Sequence, residues 1–274
     1  GKFRSVPMER LIAKATHMAE QGVKELILVA QETTLYGKDI YGEKMLPKLL
    51  KELCKIGGIQ WIRILYCYPE EITDELIQVM KEEPKICHYL DLPIQHASDA
   101  ILKRMGRRTS KAQLIEIIEK LRREIPDITL RTTLITGFPG ETEEDHEEVM
   151  DFVDQMEFER LGVFTYSPEE DTEAYEMVQD VPEALKQERL DQLMRLQHEI
   201  SLENQKAYIG ETIEVLIEGK DALKNMYIGR SKACAPDEVD GVIYVNSNKD
   251  IPMGSFVNVT ITDALAYDLI GTAV

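Results

Sequence analysis

Residues 129–166 read TLRTTLITGFPGETEEDHEEVMDFVDQMEFERLGVFTY, and this stretch decides the fold. Thr129 to Ile135 is a short run of β-branched and apolar residues with strand character. The loop Ile135 to Thr142, ITGFPGET, follows it, and its glycines and proline impose a tight path. Acidic residues then open a helix over Glu143 to Met156, and a second apolar run, Leu161 to Tyr166, closes the stretch. Strand, helix and strand at this spacing make a right-handed βαβ crossover, the unit of a parallel sheet.

The same alternation extends toward the N-terminus. Strands are expected over Lys24 to Ala30 (KELILVA), Trp61 to Tyr66 (WIRILY) and Ile86 to Leu92. Helices are expected over Pro7 to Gln21, Leu46 to Ile56 and Asp74 to Lys81, and in the segment carrying Leu114, Ile117, Ile118 and Leu121. The chain opens on a helix, so the expected fold is α/β, an incomplete parallel (βα) barrel whose first strand precedes Lys2. A helix from Pro182 to Lys206, capped by Asp180 and with Leu185, Leu193, Leu196 and Ile200 on its apolar side, divides two regimes. Beyond Glu211 the pattern becomes short alternating strands (TIEVLIEG, GVIYVN, FVNVTITDA, YDLIGTAV), which reads as a small antiparallel, OB-like β-barrel of about five strands. The domains are expected at 1–206 and 207–274.

Composition bounds the function classes. The 274 residues have room for two domains at roughly 100 to 200 residues each, and 43% apolar with 30% charged residues excludes a disordered chain. The longest uncharged stretch, Ile251 to Thr262, is far shorter than the roughly 18 residues of a membrane span, so no membrane partner is expected. Cys54, Cys67, Cys87 and Cys234 are widely separated, which fits neither a disulfide framework nor a close-spaced metal motif and suits a reducing cytoplasm. The opening GKFRSVPMER lacks the apolar core of a signal peptide and starts with Gly, so a piece of a longer protein is expected. The net charge of −18 repels phosphate backbones, which makes nucleic acid the less favoured partner.

Polar residues recur where each parallel strand ends: Gln31, Glu32, Thr33 and Thr34; Tyr66 and Tyr68; Gln95, His96 and Ser98; Thr136 and Phe138; Thr165, Tyr166 and Ser167. Any strand leaves the core through polar loop residues, but five such ends together favour a binding mouth. Arg131, inside an apolar strand, either forms a structural ion pair or holds an anionic group of a ligand. The basic run Lys103, Arg104, Arg107 and Arg108 reads as a solvated face. His17, His146 and His198 read as surface residues, and Cys87 as a core cysteine. A conventional barrel enzyme would have to draw its acid and base from Glu32, His96 and Glu141.

The stretches LVAQETTLYGKD, WIRILYCYPEEITDELI, DLPIQHASDAILKRMGRR, RTTLITGFPGETEEDHEEV and FTYSPEEDTEAY, in this order and ahead of a small barrel, resemble the radical-SAM methylthiotransferases. The similarity covers essentially the whole chain. It implies a radical-SAM barrel followed by a TRAM barrel, with S-adenosyl-L-methionine and two 4Fe-4S clusters as cofactors of the full-length protein. Within the family, one branch modifies an adenosine of tRNA and the other the β-carbon of an aspartate in the twelfth small-subunit ribosomal protein; this sequence is more similar to the second. By resemblance, Gln31 and Thr33 would meet the methionine end of SAM, Gln95 and Ser98 the ribose side, Arg131 a carboxylate, and Phe164 or Tyr166 the adenine. The family's CxxxCxxC cluster motif does not occur here, so this chain is expected to hold no cluster and to be inactive alone. Residues 207–274 carry Lys220, Lys224, Arg230, Lys232 and Lys249 against ten acids, 5 − 10 = −5, and Tyr227, Tyr244 and Tyr267 sit among those carboxylates. The expected partner is therefore a basic ribosomal protein, met through the acidic barrel.

Overall fold

The computed structural model describes residues 3–236 and 239–274. The carboxylates of Asp237 and Glu238, counted in the barrel's charge, and Lys2, which marked the expected missing strand, lie outside the described residues. Helices and strands follow in the order α1 (Met8–Glu20), β1 (Glu25–Leu28), α2 (Lys38–Tyr41), α3 (Leu46–Cys54), β2 (Trp61–Ile64), α4 (Asp74–Glu82), β3 (Ile86–Asp91), α5 (Asp99–Arg104), α6 (Lys111–Glu124), β4 (Thr129–Thr136), α7 (Glu143–Met156), β5 (Arg160–Thr165), α8 (Glu183–Lys206), β6 (Thr212–Asp221), β7 (Met226–Arg230), β8 (Ile243–Asn246), β9 (Phe256–Ala264) and β10 (Leu269–Ala273). The strands β1 to β5 form one sheet in sequential order, and β6 to β10 close a separate barrel. The expected α/β domain followed by a small barrel is what the chain forms.

Two compact units divide the chain, residues 1–94 with 111–131 and residues 95–110 with 132–274. In the first, β1, β2, β3 and the opening residues of β4 pair in parallel. Trp61, Ile62, Arg63 and Ile64 of β2 are all buried, as a strand covered on both faces must be. Arg63 is the exception to the apolar rule. Its side chain is fully buried, its Nε donates to Glu25 Oε1 at 2.8 Å, and its guanidinium lies 4.8 Å from the centroid of Tyr89. Thr73 caps α4 by accepting from Leu76 N.

In the second unit α7 opens on a capping box, Thr142 with Asp145, which satisfies amides that the helix itself leaves unpaired. His146, expected at the surface, is buried and bonds Gln192 Oε1 at 2.7 Å. The long helix α8 departs from its expected apolar stripe. Its buried face is Lys186, Arg189, Leu193, Gln197, Ile200, Ser201 and Gln205, whereas Leu185 and Leu196 are half-exposed. Pro182, not Asp180, stands at its N-cap; Asp180 instead accepts a hydrogen bond from Gly140 N at 2.8 Å. The basic run begins inside a helix, since α5 carries Lys103 and Arg104.

The barrel closes as β10-β8-β7-β6-β9. It is not wholly antiparallel, because β10 and β8 run parallel, with Leu269 opposite Ile243. Val215, Ile217, Tyr227, Ile243, Val245, Val259, Ile261 and Leu269 form its core. Gly229 is obligatory at this diameter: a Cβ there would lie 2.5 Å from Leu216 O.

The buried Arg63–Glu25 pair yields a test. Glu25→Ala removes a paired carboxylate from a fully buried guanidinium and should cost about 3–5 kcal/mol, while Glu25 and Arg63 replaced together by apolar residues of similar volume should cost far less. Urea unfolding of the single and double variants measures both.

Candidate functional site

In the first unit the strand ends are bound into one another. The Glu32 carboxylate accepts from Thr34 N and Tyr68 N, each at 2.8 Å, and from the Thr34 hydroxyl. Burial raises its pKa despite those bonds. Thr33 N donates to Tyr66 O at 2.9 Å and Thr33 Oγ1 to Leu65 O at 2.6 Å. Tyr66 holds φ at +57°, a region costly for a non-glycine residue. Its amide meets Asp91 Oδ2 at 3.3 Å, and Asp91 Oδ1 accepts from Arg131 Nη1 at 3.0 Å. Arg131 thus has the ion-pair role that its place in an apolar strand allowed. Gln31 is exposed. A cavity of about 380 Å³ in this unit is walled mainly by apolar residues of α1, β1 and α3 and includes Thr33 but neither Gln31 nor Arg131.

The second unit gathers more of the expected residues. Gln95, Phe164 and Tyr166 line a cavity of about 340 Å³ together with Thr133, Ile135 and Thr172. A further lobe of about 310 Å³ shares Gln95, Ile135, Tyr166 and Thr172 and adds Arg104, Met105 and Phe138. Gln95 has φ +73°, locked because its N donates to Thr133 O at 2.9 Å and its O accepts from Ile135 N at 2.8 Å. Tyr166 is pinned by its amide on Thr136 O, by Lys186 Nζ on its carbonyl at 3.1 Å, and by Phe138 edge-on at 5.1 Å. Its Oη is buried with no hydrogen-bond partner. Phe164 is 60% exposed, an aromatic face open to a ligand. Ser98 is absent from both lobes: its hydroxyl donates to Asp145 Oδ1 and its amide to His96 Nδ1.

Behind the cavity sits a buried polar network. Glu141 Oε2 accepts from Gly137 N at 2.7 Å and Phe138 N at 3.2 Å, and Oε1 accepts from Arg189 Nη1 at 2.8 Å. His96 accepts at Nδ1, so the proton of its neutral form is on Nε2, which faces Glu141 Oε2 at 3.6 Å. Burial alone would raise the Glu141 pKa; His96, Arg189 and the Gly137 amide outweigh it and hold the carboxyl below its usual range. A carboxylate so enclosed is a structural anion and a poor proton acceptor. That weakens the conventional acid–base reading of Glu32, His96 and Glu141. Lys186 and Arg189 carried a readable signal, since both share a helical face with Leu193 and Ile200. Asp91 and Arg63 carried none beyond their place inside strands.

Cys54 is half-buried and Cys67, Cys87 and Cys234 are buried, all as free thiols. Among the described residues no group of three or more His, Cys, Asp or Glu is placed to hold a metal ion.

A family model, the Radical SAM superfamily, matches residues 1–153, and a TRAM domain model matches residues 209–274. The chain is 59% identical over 273 residues to a ribosomal protein uS12 methylthiotransferase RimO of Lachnoclostridium phytofermentans, covering 100% of this chain and 62% of that protein. It is 54% identical to the protein of the same name from Desulfitobacterium hafniense, covering 100% and 61%, and 52% identical to that of Alkaliphilus oremlandii, covering 99% and 62%. The chain belongs to the radical SAM superfamily and spans about three-fifths of the length of these relatives.

The Glu141 network sets a pH dependence. A carboxyl whose folded pKa lies below its unfolded value stabilises the fold above the unfolded value, and that stability is lost as pH falls through the folded one. Glu141→Gln should cost about 3–5 kcal/mol at pH 7, and the deficit should shrink as pH falls below the ordinary carboxyl value of 4.5. Denaturant titrations of both proteins from pH 7 to pH 3 check this.

Proposed function

We propose that the chain is the SAM-binding and substrate-presenting part of a methylthiotransferase that modifies the β-carbon of an aspartate in ribosomal protein uS12. The observation that carries the reading is the 59% identity to such an enzyme along the whole chain, and the second unit's cavity supports it. A cavity of about 340 Å³ falls in the range of small-molecule sites. It offers an adenosine two aromatic walls, Phe164 and Tyr166, and the polar side chains of Gln95, Thr133 and Thr172. When bound, SAM supplies the carbon-centred radical chemistry. The protein's share is to bind, orient and exclude water. In this reading Phe164 and Tyr166 pack on adenine and Gln95 meets the ribose. Ser98 leaves the set, because its hydroxyl is committed to Asp145. Gln31 and Thr33 take the methionine end; the Thr33 hydroxyl donates to Leu65 O, which leaves its oxygen free to accept from an ammonium. Arg131, whose Nη1 holds Asp91, is the residue this reading assigns to the methionine carboxylate.

The described residues do not furnish the convergent thiolates that a 4Fe-4S cluster takes. In this reading both clusters belong to the full-length protein, whose CxxxCxxC motif does not occur in this sequence, and we propose that this chain by itself does not turn over. We place the protein in the cytoplasm, where its substrate is made; no helix among the described residues is long and apolar enough to cross a membrane. With the domain boundary at 206/207, the barrel is the element that meets the basic ribosomal protein. Its aromatic faces support protein over RNA. Tyr227 is buried in the barrel core and Lys224 Nζ lies 3.5 Å from the Tyr244 centroid, so among Tyr227, Tyr244 and Tyr267 only Tyr267, 39% exposed, offers an open ring, fewer than the row of stacking platforms an RNA groove uses.

Cells lacking the gene for this chain should contain uS12 with an unmodified target aspartate by mass spectrometry, and re-expression should restore the methylthio group. Phe164→Ala should lower the modified fraction about tenfold or more, the scale of losing one aromatic contact worth about 1.4 kcal/mol. Unchanged uS12 beside tRNA that has lost methylthioadenosine would overturn the assignment. Charge reversal at the exposed Glu211 and Glu214 should weaken uS12 capture several-fold at low salt and little at high salt. Glu218 is unsuitable for that test, because it holds buried Arg230 through two bonds of 2.8 and 2.7 Å.

A further inference from the structure

The lobe beside Tyr166 holds a cation with no partner. Arg104 ends α5 and lines this lobe with Gln95, Phe138 and Tyr166. Its guanidinium rests on Gly140: a Cβ built there would lie 2.4 Å from Nη1 and 2.5 Å from Cζ. The missing side chain at Gly140 is what gives the guanidinium its seat. Arg104 is exposed, and among the described residues its side chain makes no hydrogen bond or ion pair. The buried Arg63, Arg189 and Arg230 and the half-buried Arg131 each hold a carboxylate at 3.0 Å or less. Glu173 lines the same lobe without pairing to Arg104. Beside it Tyr166, 8% exposed, keeps a buried hydroxyl without an acceptor.

Adenine and ribose carry no negative charge, so an adenosine in the Phe164 lobe leaves Arg104 without a match. We propose that Arg104 is a specificity-determining residue that binds the side-chain carboxylate of the target residue, in the lobe separated from Phe164 by Tyr166. The inference rests on the reading of this chain as a protein-modifying enzyme. A guanidinium's planar fork suits a carboxylate. Arg104 and Arg107 in a lobe also lined by Glu173, with Glu169 lining the adjoining lobe, leave too little net positive charge for a polyphosphate chain and suit a single carboxylate better.

The test titrates the SAM-saturated protein with two fluorescein-labelled basic peptides that differ only in Asp or Asn at one position, read by anisotropy. The wild type should bind the aspartyl peptide about tenfold more tightly. Arg104→Gln should bind both alike, with SAM affinity and thermal unfolding unchanged, and Arg104→Lys should recover part of the preference. Peptide discrimination that survives in Arg104→Gln overturns the inference while leaving the proposed function standing, and so does a wild type that binds both peptides alike. Loss of SAM affinity in Arg104→Gln overturns it in favour of a SAM contact. A wild type that binds neither peptide but retains tRNA, with retention lost in Arg104→Gln, overturns the inference together with the function on which it rests.

Discussion

The Glu141 carboxylate is the interaction on which the second unit's site depends. The loop after β4 must turn within GFPGE, and in turning it leaves the amides of Gly137 and Phe138 pointing inward without strand partners. Buried amides without acceptors cost about 1–3 kcal/mol each. One carboxylate answers both of them and Arg189 of α8 as well. Phe138 is thereby fixed, and it packs edge-on against Tyr166, the residue shared by both lobes of the cavity. The chain of cause runs from a buried anion to a loop path, from the loop path to an aromatic pair, and from the pair to the walls of a binding site. Lys186 completes it, lying over Gly137, where a Cβ would come within 2.1 Å of its Cγ.

That network explains why α8 buries so polar a face. A helix packed on sheet residues alone would present leucines. Here it packs on β5 and α7 and on the connections around them, whose carbonyls and carboxylate need donors, and Lys186, Arg189 and Gln197 supply them, to Tyr166 O, Glu141 and Phe158 O. The hydrophobic share falls to Leu193 and Ile200.

What was legible in the sequence follows from which forces act locally. Strand and helix alternation is written in the apolar period, so β1 to β5 and the final barrel could be read directly. The strand-end residues Gln95, Phe164 and Tyr166 were also readable, because position along a parallel strand fixes which end a residue occupies. The Ser98–Asp145 bond was not legible, since the partners lie 47 positions apart and no local pattern encodes it. His146 was read as a surface residue for the same reason, with Gln192 as its remote partner. The parallel pairing of β10 with β8 was hidden too, because alternation gives the inward face of a strand and says nothing of its direction. Arg104 belonged to a run of basic residues whose ordinary reading is a solvated face. Only the position of Gly140 beneath its guanidinium distinguishes it from its neighbours.

Just beyond β2 and β3, Tyr66 at +57° and Gln95 at +73° adopt positive φ. Each such residue costs of order 1–3 kcal/mol and persists only where the surroundings overdetermine it. Tyr66 is overdetermined by Thr33 N on its carbonyl and Asp91 on its amide, Gln95 by backbone bonds to Thr133 and Ile135. Neither strain is needed to continue the chain, since a glycine would take the same path without penalty. What a glycine cannot do is carry a side chain: 45% of Tyr66 stands exposed, and Gln95 lines both lobes of the second unit's cavity. The backbone holds the strained conformation and thereby places those two side chains, one toward solvent and one on the cavity wall.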